Sequence, residues 1–186
     1  MSSELVQSAG VLQPRRLPLS ARAATMALFF VNGATFATWG IHIPTVKARF
    51  GLSEASLSLA MFMVAFGAIL SIKFVGRWVA RVGTQHASVR GGIAFSAMLA
   101  LIMLMPSYPA LLVALFLFGV STVGFDVAIN AEASELERRL AKPLMSGFHA
   151  MFSLGGMCGA ALGSAAPGWG WSTTTHLGVA AGAGAL

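Results

Sequence analysis

From Ala24 to the end of the chain, long apolar runs follow one another, and almost every charge falls in the gaps between them. This pattern leaves few folds open. A backbone buried in lipid must satisfy its own N–H and C=O groups, and a helix does this within one segment. A spanning helix needs about 20 mainly apolar residues. Runs of that kind lie at about 24–44, 57–75, 89–105, 109–130 and 146–166, with Pro106, Pro109 and Pro167 marking ends and starts. A shorter run, 177–186, would be a partial sixth helix, which cannot cross alone; the expectation is that it continues in a longer parent, or that the chain is a truncated product. The reading is an all-α integral membrane domain over 24–186. It is preceded by a polar segment, 1–23, with Pro14, Pro18, Arg15, Arg16 and Arg22, expected to be a disordered cytoplasmic tail.

Composition removes other classes. Charged residues make up 10% of the 186 residues and apolar residues 56%, whereas soluble domains carry about 25% charged residues. The net charge of +6 does not indicate nucleic acid, because the cations sit in the gaps, as membrane topology dictates. With the N-terminus in the cytoplasm, the inner segments hold Arg15, Arg16, Arg22, Lys73, Arg77, Arg81, Arg90, Arg138, Arg139 and Lys142, and the outer ones only Lys47 and Arg49. The single Cys158 excludes an intrachain disulfide and a multi-cysteine metal site. There is no Walker loop, nucleophile elbow or HExxH, so neither enzyme, cofactor nor metal is expected.

The stretch Gly124 to His149 holds most of the acid in the chain: Asp126, Glu132, Glu135 and Glu137. Asp126 would lie about 25 Å along a helix starting near Pro109, inside a hydrocarbon layer of about 30 Å and toward its cytoplasmic side. Such an acid is costly and points into a bundle or a wet cavity. Two readings stand: a proton-accepting group for transport, or an interfacial acid paired with Arg77, Arg81 or Arg90. Asn130, at i+4, shares its face. His149, about 5 Å into the next helix, is expected at the same depth and could relay a proton or simply bond helix-end backbone. EASELERR, from Glu132 to Arg139, is expected to be a solvated, self-paired helix end.

Helix one supplies further candidates. Asn32, close to the midplane, could contact a polar solute or another helix. Trp39 is expected to be a cavity wall or an interfacial anchor, and His42 a wet interfacial histidine. Gly155, Gly159 and Gly163 form overlapping GxxxG repeats, a helix-packing signal.

The order of helices and the basic stretch GRWVARVGTQH resemble the N-terminal half of a major facilitator superfamily transporter. Gly76, Arg81 and Gly83 fit that superfamily's motif between helices two and three, a charge-relay latch, with Ala80 where the family has an aspartate. DVAIN followed by MSGFHAMFSLGG resembles the bacterial fucose-permease-like branch, in which an acid on helix four is followed four residues later by an asparagine, as Asp126 is by Asn130. That branch also carries an acid on helix one, where this chain has none near Gly40, so fucose itself is not implied. The resemblance implies a six-helix half of a two-half fold, the sixth helix incomplete. It implies a multi-pass protein of the bacterial inner membrane, with the lipid bilayer, a small solute, and a missing C-terminal half or second copy as partners. The expected function is secondary active transport of a small polar, sugar-like solute, proton-coupled through Asp126. The alternative is a truncated, non-transporting fragment or helix-packing subunit.

Overall fold

A computed structural model describes residues 19–185. Residues 1–18 of the expected tail lie outside that range, and the remainder of it, from Leu19, is already helical. The described residues form six α-helices and no strand: α1 (Leu19–Phe50), α2 (Glu54–Val82), α3 (Thr84–Ile102), α4 (Tyr108–Leu140), α5 (Met145–Ala165) and α6 (Thr173–Ala185), with a 3-10 turn, Ala166–Trp169, after α5. By length and composition, α1, α2 and α4 are long and apolar enough to cross a membrane. Helix α6, with 13 residues, is short.

Helices α1, α2 and α4 are longer than the hydropathy limits at both ends, α3 starts earlier and ends three residues sooner, and α5 keeps its expected length. Helix α1 continues through Pro44, expected as its end, to Phe50. The proline removes one bond, to the carbonyl of Gly40 one turn back, where the absence of a side chain eases the ring's fit. Helix α2 runs seven residues past Val75, and the expected loop over 76–88 is helical on both sides of a single joint, Gly83. Gly83 has φ +82, a conformation that suits glycine, and lets α2 end and α3 begin on one residue. Helix α4 starts on Ser107, whose hydroxyl accepts from the Ala110 N–H, with Pro109 in its first turn, and ends on Ala141 in the left-handed region. Its 33 residues make roughly 50 Å at 1.5 Å per residue. Hydropathy marks where lipid ends, not where the helix does, so charged turns such as Glu132 to Arg139 carry the helix onward.

Helix α1 packs on α5, while α4 packs on both α2 and α3, and α3 meets α6. The α1–α5 seam is backbone against backbone. A Cβ added to Gly155 would stand 2.0 Å from the Phe30 carbonyl oxygen, one on Gly159 2.4 Å from that of Ala34, and one on Gly33 1.9 Å from that of Phe152. Small residues are what permits such an approach. Gly163 faces the Ile41 and His176 side chains. The α2–α4 seam uses the same device at Gly67 and Gly119.

Between these seams lies an aromatic core. Phe29, Phe95, Phe118, Phe125 and Phe148 are fully buried, with Phe95 5.0 Å from Phe118 and Phe29 5.5 Å from Phe148, centroid to centroid. Large apolar side chains also cover the outside: Phe62, Phe66, Ile69, Leu70, Ile72 and Phe74 on α2, Val113 and Leu117 on α4, Leu154, Met157 and Leu162 on α5. A surface of this kind suits lipid and would associate in water.

Candidate functional site

The center of the candidate site is Asp126. Its Oδ1 accepts from Asn32 Nδ2 of α1 at 3.2 Å and from Asn130 Nδ2 of its own helix at 3.3 Å. Asn130 also donates to the Asp126 carbonyl at 2.9 Å. Asn32 is buried and Asp126 is exposed, so the amide forms a floor and the carboxylate sits above it at the surface of the helices. Among the described residues, Oδ2 receives no hydrogen bond. The carboxylate is oriented on one oxygen and vacant on the other, an arrangement that leaves a lone-pair face for a proton or a ligand donor.

The expected alternative, an ion pair with Arg77, Arg81 or Arg90, does not form among the described residues; the ion pairs there are Lys47–Glu54, Arg138–Glu135 and Arg139–Glu135. Asp126 sits at the level of Asn32, near the middle of both helices, and α4's added length places about 21 Å of helix beyond it.

His149 stands in the first half of α5, exposed, with its ring edge-on to Phe29 at 5.4 Å. Among the described residues no hydrogen bond joins it to Asp126; both side chains meet α1, Asp126 at Asn32 and His149 at Phe29. Asp126, Asn130, His149 and Asn32 therefore gather around the α1–α4–α5 face. Trp39 does not join them: it is buried, its ring 5.6 Å from Phe118, and fills the core.

Glu137 shares little with Asp126 beyond its helix. Its Oε2 accepts from the backbone N–H groups of Leu144 at 2.6 Å and Met145 at 2.9 Å. It thereby supplies the first turn of α5 with the acceptor that Leu144, at the N-cap, does not provide. Glu135 binds Arg138 and Arg139 at the exposed end of α4. Glu132 instead accepts from the Thr84 hydroxyl and ties α4 to the start of α3. Of the loop-motif residues, Gly83 makes the joint, while Gly76 and Arg81 are exposed along α2.

One polar contact escaped the sequence reading. His42, expected in water, is buried, and its Nε2 lies 2.8 Å from Nδ1 of His176 in α6. The rings are edge-to-face at 5.1 Å. His176 follows a polar loop, and nothing in its local pattern marks it. The remaining hint was the polar stripe Thr25, Asn32, Thr35, Thr38 and His42, which recurs at helical spacing on one face of α1 and is buried throughout.

Sequence comparison with known proteins gives the family. The chain is 37% identical over 135 residues to the uncharacterized transporter y4wD of Sinorhizobium fredii, covering 73% of this chain and 36% of that one. It is 34% identical over 160 residues to an uncharacterized MFS-type transporter of Yersinia pestis, covering 86% and 40%. It is 30% identical over 131 residues to the membrane protein MosC of Rhizobium meliloti, covering 70% and 32%. The match thus spans well under half the length of these relatives. No solved structure matches the chain. The profile of the Major Facilitator Superfamily matches residues 25–186, nearly every described residue, and this multi-pass, non-enzymatic membrane protein belongs to that superfamily.

Proposed function

We propose that this chain is the N-terminal six-helix half of a secondary transporter, and that Asp126 is the group at which a small polar solute or a proton is taken up. The observation that carries this reading is the accessible, half-satisfied carboxylate held midway along α4 by Asn32 and Asn130. An ionisable group at that depth is costly and is kept for a reason. Superfamily membership and the transporter names of the relatives support transport over a non-transporting fragment or packing subunit. Two-half transporters hold their substrate between the halves, and the α1–α4–α5 face that bears Asp126 and His149 is the polar one offered to a second half. The N-terminus is read as cytoplasmic, a side that the distribution of arginine and lysine supports. A sugar-like solute suits a site of amides and one carboxylate, which exchange hydrogen bonds with hydroxyls.

The test is uptake into proteoliposomes by the whole transporter carrying Asp126→Asn. Uptake is expected to fall by roughly 100-fold, the scale of losing a charged hydrogen-bond acceptor. Uptake equal to the parent's would sink the assignment. Any residual uptake that keeps the parent's pH dependence would remove proton coupling from Asp126 while leaving solute binding standing.

A further inference from the structure

A groove of about 700 Å³ runs between α2 and α3, with α4 as its floor. Its walls are Leu70, Phe74 and Trp78 on one side and Gly91, Ala94 and Met98 on the other. The lining serines are already engaged: Ser71 donates to the Ala68 carbonyl and Ser121 to the Phe118 carbonyl, so neither hydroxyl donates into the groove. From Leu70 to Trp78 the groove is about 12 Å long at 1.5 Å per residue, close to the roughly 15 Å of one leaflet. It lies on the far side of α4 from the candidate site, since Leu117, which lines it, and Asp126 are about two and a half turns apart. It is therefore no part of the solute path.

One end of this apolar groove is cationic. Arg90 lines it, exposed, about 9 Å into α3. The Arg77 guanidinium lies 5.4 Å over the ring of Phe74, which also lines it. Neither arginine has a carboxylate partner among the described residues. Trp78 sits at the same end and suits the headgroup level.

We propose that this groove binds an anionic phospholipid, with one acyl chain between α2 and α3 and the headgroup phosphate held by Arg90 and Arg77. The chain length fits one leaflet, and the sign of the charge selects phosphatidylglycerol over a zwitterionic lipid. The bound lipid would add to the brace that Gly83 and the Val75, Val79 and Ala87 cluster already give α2 and α3.

The test reconstitutes the full chain with Trp39, Trp169 and Trp171 replaced by phenylalanine, so that Trp78 alone reports. Vesicles contain dibrominated phosphatidylglycerol or dibrominated phosphatidylcholine at matched mole fraction. Quenching is expected to favour phosphatidylglycerol, and each arginine replaced by glutamine should cost about five-fold in that preference. Arg90→Lys should keep it, and Ala94→Phe, which fills the groove, should reduce quenching by both lipids. Equal quenching by the two lipids, or a preference that survives Arg77→Gln with Arg90→Gln, overturns the proposal. So does a Trp78 that neither lipid reaches, since protein would then cover the groove. The unsubstituted chain gives a second reading by native mass spectrometry: it should retain phosphatidylglycerol through mild detergent, and retention of phosphatidylcholine to the same extent overturns the proposal equally.

Discussion

Asn32 and His42 lie about three turns apart on α1, and each meets a partner far along the chain, Asp126 in α4 and His176 in α6. The two meetings differ in what they leave over. His42 and His176 are both buried and spend a nitrogen each on the other, so that contact works as a rivet between α1 and α6. Asp126 accepts two amide donors on one oxygen and keeps the other free in an accessible position. Burial alone would have ranked the histidine pair as the more notable site. Accessibility ranks it second, because the nitrogen each ring keeps belongs to a buried side chain, whereas the free oxygen of Asp126 belongs to an exposed one.

The comparison can be broken first at what both sites share, the placement of α1. Gly155→Val should be the most damaging change, because its Cβ meets the Phe30 carbonyl and backbone cannot yield as a side chain can. A loss of several kcal/mol is expected, seen as failure to recover monodisperse protein in detergent; normal recovery would show that the seam is looser than described. Asp126→Asn comes next and should separate function from stability. Transport drops by about two orders of magnitude while the melting temperature stays within a few degrees, because the near-isosteric amide leaves the packing in place. His176→Leu should do the reverse. It leaves His42 buried and unpaired, costing about 1–3 kcal/mol, and lowers the melting temperature with solute affinity unchanged. A change in affinity without a change in stability would move the histidine pair into the solute path. The smallest effect is expected at Glu137→Ala. Amide exchange at Leu144 and Met145 should rise by about ten-fold, as for a lost helix cap, with exchange around Asp126 unaltered.

How much of this was legible beforehand follows from the range of each interaction. Asp126 stood out because an acid in an apolar run is anomalous within its own sequence window. The glycines at 155, 159 and 163 stood out because GxxxG is a local repeat; their partners, the carbonyls of Phe30 and Ala34, carry no side-chain signature at all. Asn32 was marked as polar at depth, but its bond to Asp126 spans 94 residues and only folding reveals it. The histidine pair spans 134, and a lone histidine near a helix end reads as ordinary. Trp39 was ambiguous because the same ring serves a cavity wall or a core, and Phe118 decides for the core. Helix ends were missed for a separate reason, visible at Glu132 and Glu135: charge ends the lipid-buried stretch without ending the hydrogen-bonded spiral.

Gly83 has a mechanical consequence as well as a conformational one. A joint of one residue stores no slack, and the connections at 51–53, 103–107 and 141–144 are nearly as short. A helix tethered this tightly at its ends cannot slide out alone without dragging its neighbour. Any large displacement among these helices is thus obliged to be a displacement of the whole block, and an insertion between Val82 and Thr84 would work like a clutch, letting α2 turn while α3 stays.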